Sequence, residues 1–575
     1  VRWPAVSAFV AFALYWLRGR AYLDWRHPHE DAFILFRYAE NLAHGWGIVF
    51  NHGGPHTEGA TDFLYMVALA LAVRLGADVA IAAVWLNALG AALVAWVMAE
   101  LALPARPRIL DGLWAVLLGA FVPFVGGALA SYDGFGTELY CGLVAFVFLL
   151  CLKANARAVI ALPYLALTLG LFRPDGVIVG SAGVSVLAWF LRRDRPTVHE
   201  ALPTVALRRL CIHGAVAFAL GIAYFVWRSR YFGELLPLPL YVKSRGGPEV
   251  RGWGFVVPWF SDSTGPTPLL AAALVGTVLL RGRRRRRIKR AWAATLPAWI
   301  LAWSLSFAYQ SQNVDFRFEA PIYTLLVLLV VRLATQLRAE TPNLLANAAV
   351  AAGTLAALWP AVQQGKKLWP LDYMDTFAVE SAPLLEQARL VTTETGRMSY
   401  WHDATVLDLI GLNNAETARR PPTLASIARA DPDLLMFHAA YTLDPEAASR
   451  VGDFAGGEIV QVRPESLLGA VREPFREYAQ HDLERYGPED LSVAIGPIVA
   501  IRYLAERAAN FDVFFVRYGD DYNHVFGVRK ASARAGSLEN LITTSAALPY
   551  RSYAAAKKLG ECDFCRFFAP SWRGS

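Results

Sequence analysis

The sequence predicts an α-helical polytopic membrane protein with a C-terminal external α/β domain, and three observations carry that expectation. Only 18% of the 575 residues are charged, 55% are hydrophobic and the mean hydropathy is +0.34, whereas a soluble chain carries about a quarter charged residues. The apolar residues fall in blocks of roughly 15 to 24 as far as Val362, near the length that crosses a bilayer core at about 1.5 Å per residue. From residue 363 onward the composition becomes that of an ordinary globular domain.

The arginines set the orientation. They cluster in short loops between apolar blocks, at Pro104 to Arg108, Leu191 to Pro196 and Arg281 to Arg290, as the positive-inside rule requires. The net charge of +7 and pI near 9.1 therefore point to membrane lipids and not to nucleic acid as the partner. The N-terminal block shows no charged n-region or small-residue cleavage site, so it is expected to stay as the first span. One block, Phe63 to Gly76, is too short to cross comfortably and ends near Arg74. Read as a helix lying at the interface, it lets all the basic loops share one side.

About eleven spans follow, at 3–23, 78–101, 109–130, 138–152, 158–172, 176–191, 210–228, 266–281, 291–308, 320–336 and 342–362. The N-terminus is then inside. Loops 24–77, 131–137, 173–175, 229–265 and 309–319 are outside, together with everything after 363. Residues 1–362 form the membrane domain and 363–575 the external one. In the latter, β-rich runs at Ala404 to Leu412, Asp433 to His438, Val499 to Leu504 and Phe511 to Tyr518 are expected as strands, and Thr376 to Leu390 as helix. Cys141, Cys151 and Cys211 lie in apolar blocks and are expected to pack there. Cys562 and Cys565 form a CxxC without the second pair a zinc site needs, which leaves a local disulfide or two free thiols.

Ionisable residues at a membrane are costly and mark function by default, and the external loops gather them. Loop one holds Glu30, Asp31, Arg37, Glu58 and Thr61; the next holds Asp133 and Glu138; "FRPDG" holds Arg173 and Asp175; "NVDFRFEAP" holds Asp315, Arg317 and Glu319. Carboxylates take protons from hydroxyls or hold a metal, and cations hold phosphate, Arg as a bidentate fork. Plainer roles exist for each. An acid at a helix start favours the helix dipole, "RPDG" is a good turn, and Arg317 and Lys243 suit an interface. His27, His29, His52 and His56 crowd loop one without a zinc spacing. The residues alone fit a transporter or flippase of a lipid-linked or anionic substrate nearly as well as an enzyme, although a transporter calls for polar groups at mid-membrane.

The run "EDAFILFRYAENLAHGWGIVFN…TEGATDFLY", "GTELY", "FRPDG", "YFGELLPLPLYVKS" and "LDLIGL", in that order over about residues 24 to 420, resembles the multi-span GT-C glycosyltransferases. Within them it is similar to the branch of cell-wall arabinofuranosyltransferases. The resemblance implies a GT-C fold in a bacterial cytoplasmic membrane. It implies transfer of a sugar, with arabinofuranose the first candidate, from a polyprenyl-phosphate donor to an extracytoplasmic glycan acceptor. It implies Asp31 as the catalytic carboxylate, either a base for the acceptor hydroxyl or a stabiliser of the sugar cation, with Glu30 beside it where many relatives have a second aspartate, so which carboxylate acts stays open. Lys243, Arg317 and Arg173 would meet the donor phosphate, and Glu58, Glu138 and Asp175 would orient sugar hydroxyls or loops. Arg37, Thr61 and Tyr241 complete the substrate-binding set. A divalent cation is left open, with no ligands assigned.

Overall fold

The computed structural model describes residues 2–103, 109–124, 132–193, 203–243, 266–279, 284–305, 317–338, 373–448, 450–451, 459–486, 492–518 and 522–560. Among the described residues the membrane part is mainly helical: α1 Trp3–Trp25, α2 Glu30–Ala43, α3 Phe63–Arg74, α4 Val79–Ala102, α5 Ile109–Phe121, α6 Thr137–Lys153, α7 Ala156–Phe172, α8 Gly176–Arg193, α9 Pro203–Phe232, α10 Leu238–Lys243, α11 Thr267–Leu279, α12 Arg284–Ala294, α13 Leu296–Leu305 and α14 Ala320–Arg338. Among these, α4, α8, α9 from Thr204 and α14 to Leu337 are long and apolar enough to cross a membrane by length and composition. At 12 residues α3 is about 18 Å long, short of the bilayer core.

Every expected span within the described residues overlaps an observed helix, but the bounds differ in several places. The block at 291–308 is broken: α12 begins within the arginine run and α13 restarts at Leu296, because Pro297 has no N–H and its ring crowds the preceding turn. The helix α9 runs from Pro203 to Phe232, beyond the expected bounds of 210 and 228 at both ends. The span at 342–362 and the Cys562–Cys565 pair lie outside the described residues. Cys141 and Cys151 are buried as expected, but Cys211 is exposed; it sits on α9, whose face presents Ile212, Phe218, Ile222 and Phe225 outward, a surface suited to acyl chains.

Small residues let the bundle close. A Cβ on Gly142 of α6 would lie 2.8 Å from the Gly90 carbonyl of α4, and one on Gly180 of α8 would lie 2.6 Å from the Ala166 Cα of α7. Such close approach is how helices associate where burial from water offers little drive. Helix direction then sorts the loops. The basic ends near Lys153, Arg192, Arg208, Arg284 and Arg338 fall at one end of the bundle, where Lys153 pairs with Glu100 at 3.1 Å. Loop one, the turns at 132–136 and 173–175, the 233–240 segment and Arg317 fall at the other.

The C-terminal part packs on that second end. Helix α15 (Tyr373–Leu385) leads into a six-stranded sheet of order β2-β1-β3-β6-β5-β4. Its strands are β1 Arg389–Thr392, β2 Thr405–Asp408, β3 Leu434–His438, β4 Ile459–Gln461, β5 Phe511–Tyr518 and β6 Tyr522–Arg529. Strands β2, β1 and β3 pair in parallel and the rest antiparallel. Two expectations are corrected here. Val499 to Leu504 is not a strand but the second half of helix α16 (Ser492–Glu506); Val499, Ala500, Ile501 and Leu504 are all buried, and a short run apolar on every side does not distinguish strand from helix. The helix expected over Thr376 to Leu390 ends at Leu385, and its last residues turn at Gln387 (φ +57°) into β1.

The sheet is fastened to loop one by polar contacts. Arg37 donates to the carbonyls of Phe50 (2.7 Å), Ser399, His402 (3.3 Å) and Ala404 (3.1 Å). Asn51 donates to the Val406 carbonyl (2.8 Å) and accepts from the Val406 N–H (2.9 Å). The Tyr400 hydroxyl donates to Glu40 (2.7 Å).

Candidate active site

Helix α2 begins where the chain leaves α1. His29 caps it, its Nδ1 accepting from the Asp31 N–H at 3.2 Å, so Glu30 and Asp31 stand in the first turn, where the helix dipole favours negative charge. The two carboxylates then part. Asp31 lines an open pocket with Ile34 and Leu35 of its own helix face, Gly59 to Asp62 of loop one, Phe135, Pro239, Arg317 and Leu412. Four of the expected loops and the C-terminal part thus meet at one place.

Glu30 turns toward the sheet and accepts from the Gly396 N–H at 2.6 Å. Burial, then the negative charges of Glu394 and Asp31, push its carboxyl well above the usual range, and Arg397 offsets only part of this. A hydrogen bond joins it to Asp31. The neutral form of Glu30 is thereby favoured over the charged one. A Cβ at Gly396 would overlap the Glu30 carbonyl oxygen, so glycine is required there.

Arg317 faces Asp31 across the pocket. Burial pushes its pKa down, while Asp31 and Asp62 support its charge and Arg173 opposes it; an arginine remains charged through such a shift. Its guanidinium lies 4.1 Å from the Phe135 ring centre, a cation–π contact. Arg173 does not reach the pocket wall. Its fork grips Asp175 at 3.0 and 3.1 Å and it donates to the Arg317 carbonyl at 3.0 Å. Burial works against its charge, but Asp175, Asp62 and Tyr140 outweigh burial and keep it firmly protonated. The "FRPDG" turn thereby sets the position of Arg317.

Other expected site residues are placed elsewhere. Arg37 points into the contact with the sheet; burial lowers its pKa to about 10. Thr61 lines the pocket and donates to Asp62 at 3.3 Å. Glu138 is buried in the first turn of α6, away from the pocket. Tyr241 lies under Arg419 of the C-terminal part, 5.6 Å from guanidinium carbon to ring centre. The Lys243 side chain and Asp315 lie outside the described residues. Of the four histidines, His27 bonds the Arg551 carbonyl at 2.8 Å, His52 meets Asp403 at 3.4 Å, and His56 stacks on Tyr231. Among the described residues no three His, Cys, Asp or Glu side chains gather to hold a metal ion.

Glu58 pairs with Arg228 in a fully buried contact beside the pocket. Burial outweighs the attraction of Arg228 and pushes the carboxyl up to about 7 from 4.5. Its neutral form is thus favoured in the folded state. The stability this brings is complete below pH 4.5 and lost as pH rises through about 7. Glu58→Gln is expected to flatten the fall of Tm over that window, checked by thermal unfolding of both proteins from about pH 5 to about pH 8.

Three contributors were missed in the sequence. Asp62 directly precedes α3 and is buried in the pocket wall; burial raises its carboxyl while Arg173 and Arg317 pull it down. Arg228 was hidden at the end of an apolar block. Leu412 is presented by the turn after β2, which Asp408 ties by accepting from the N–H groups of Ile410 (2.8 Å), Gly411 (3.0 Å) and Asn413 (2.8 Å). Gly411 takes φ +94° in that turn, which only glycine adopts freely.

Over residues 374–481 the chain matches a family described as a domain of unknown function (DUF8728). No curated protein matches it. Among solved structures it is similar to ArnT from Cupriavidus metallidurans bound to undecaprenyl phosphate, at 12% identity and a TM-score of 0.44, over 80% of this chain and 95% of that one. It is also similar to the Archaeoglobus fulgidus oligosaccharyltransferase in complex with Zn and sulfate, at 13% identity and a TM-score of 0.42, over 78% of this chain and 69% of that one. At this degree of likeness neither protein's chemistry transfers to this chain.

Proposed function

We propose that the chain is a membrane glycosyltransferase that moves a sugar from a polyprenyl-phosphate donor to an extracytoplasmic glycan acceptor. The observation that carries this reading is the pocket in which Asp31 and Arg317 face each other at one end of an apolar helical bundle. The motif run over residues 24 to 420 supports it further, and arabinofuranose, the sugar that run points to, heads the donors to be tried. The basic loops gathered at the opposite bundle end support placing the pocket and the C-terminal part on the external face of a bacterial cytoplasmic membrane.

In the proposed step the acceptor hydroxyl oxygen attacks the anomeric carbon of the donor. The bond from that carbon to the phosphate oxygen breaks, and its electron pair leaves with the phosphate. Asp31 takes the hydroxyl proton as general base. The charge gathering on the departing polyprenyl phosphate meets Arg317, whose fork suits phosphate. Glu30, kept neutral, orients Asp31. Asp62 and Thr61 line the same wall for sugar hydroxyls, while Arg173 and Asp175 hold the Arg317 loop. Lys243 is proposed as a second phosphate ligand, and Arg37, Glu138 and Tyr241 as supports around the site.

Incubating the purified protein with a panel of prenyl-phosphate sugars, arabinofuranose first, tests the reading. Release of free prenyl phosphate is expected with at least one donor in the presence of an acceptor glycan, and a transporter would release none. Arg317→Ala is expected to lower kcat/KM for the productive donor by about 10²–10³-fold, the usual cost of removing one group that stabilises developing negative charge. Wild-type kinetics in that variant would take Arg317 out of the site.

A further inference from the structure

A second cavity, of about 320 Å³, shares a wall with the first. The wall is built from three adjacent residue pairs, each giving one member to either side. Gly59, Pro239 and Leu412 face the Asp31 pocket, while Glu58, Leu238 and Asn413 face the second cavity. The Leu238 N–H donates to the Glu58 carbonyl at 3.0 Å and ties two of these pairs together. A Cβ at Gly59 would overlap the Asn413 Oδ1, so the wall is one backbone thick at that point.

The lining has a definite chemistry. Glu58 and Arg228 are both at least nine-tenths buried, and Glu58 Oε1 and Arg228 Nη2 find no hydrogen-bond partner among the described residues. Buried polar atoms left without partners call for an explanation, and here the carboxyl and the guanidinium belong to two residues that line one space. Phe50 and Phe232 add buried aromatic surface, and the exposed His56 and Glu416 stand at the mouth. Each lining carboxyl already meets an arginine, Glu58 with Arg228, Glu234 with Arg419 and Glu416 with Arg429, so the lining offers no uncompensated charge to attract an ion. A neutral ring with vicinal hydroxyls satisfies every feature: one hydroxyl donates to Glu58, its neighbour accepts from Arg228, and the C–H face rests on the phenyl rings. The volume is that of a small-ligand site.

We infer that this cavity binds a neutral sugar residue of the acceptor glycan and brings the next hydroxyl over the thin wall toward Asp31. In assigning that sugar to the acceptor, the inference rests on the glycosyltransfer reading.

The test uses the full chain in lipid nanodiscs, without donor, and neutral methyl furanosides and pyranosides as probes read by saturation-transfer NMR and titration. Wild type and Asp31→Asn are expected to bind at least one neutral glycoside equally. Above about pH 7, where Glu58 becomes ionised, Glu58→Gln is expected to weaken it by about tenfold or more, the loss of a hydrogen bond to a charged group. Ala415→Trp, at a half-buried lining position, is expected to abolish binding by filling the cavity while the Glu58–Arg228 pair stays intact. Absence of binding in wild type, undiminished binding in Ala415→Trp, or preference for a uronic acid or inorganic phosphate would overturn the assignment. Sugar binding without prenyl-phosphate release from any donor would sink the glycosyltransfer reading and leave the sugar site standing; release without sugar binding would do the reverse.

Discussion

Asp31→Asn is expected to lower transfer by about 10²–10⁴-fold, the contribution typical of a positioned general base, with no loss of fold. The substitution keeps the shape of the side chain and leaves the Asp31 N–H bonded to His29, so the start of α2 is preserved. The adjacent carboxyl does not replace it. Glu30 is held by the Gly396 N–H, and burial with its acidic neighbours favours its neutral form, which makes it the poorer base of the two. Glu30→Gln, which imitates the neutral form, is therefore expected to lose far less activity than Asp31→Asn. Prenyl-phosphate release by both variants, beside their unfolding temperatures, checks the assignment. Equal losses would return the question of which carboxylate acts, and full activity in Asp31→Asn would remove the mechanism.

Arg37→Met is expected to have the largest effect on stability, on the order of 3 kcal/mol or more, since it leaves several buried carbonyls without their charged donor. Phe50, His402 and Ala404 each accept from that one guanidinium, as does Ser399. Methionine fills much of the volume, so the loss is one of satisfied polar groups and not of packing. The contact between loop one and the sheet should loosen, Leu412 should leave the pocket, and transfer should fall with it. Hydrogen exchange over residues 397–406 is the direct measure, expected to quicken in the variant. Protection as in wild type would show that Arg37 does not fasten the two parts.

The helical bundle was legible because a bilayer imposes block length, and every expected span within the described residues overlaps a helix there, one of them broken at Thr295. The shared face of the loops was legible from arginine placement alone. The direction of individual side chains was harder to read. Asp31, Arg37 and Glu58 are charged residues of one loop and looked alike as candidates. Yet on a helix Ile34, Leu35 and Tyr38, three, four and seven residues on, share the Asp31 face, while Arg37, six on, projects elsewhere. The Glu58–Arg228 pair joins residues from separate apolar contexts, and no local pattern announces it. Val499 to Leu504 shows the same limit for secondary structure: its residues are buried all round, so the alternation that marks a strand and the stripe that marks a helix are both absent. The "LDLIGL" run was noticed as a motif, but its purpose, a turn tied by Asp408 that seats Leu412 in the pocket, needed the tertiary structure.

The contact of Asn51 with Val406 has a consequence beyond fastening. Strand β2 is the last in its sheet, and a free edge offers its peptide groups to any passing strand, a route to aggregation. The Asn51 side-chain amide presents one donor and one acceptor, the same pair a neighbouring peptide would present, and bonds both the N–H and the carbonyl of Val406. A single residue of the first loop thus stands in for a seventh strand. The contact that completes the pocket also seals the sheet, so a chain whose two parts come apart loses its chemistry and exposes a sticky edge in the same event.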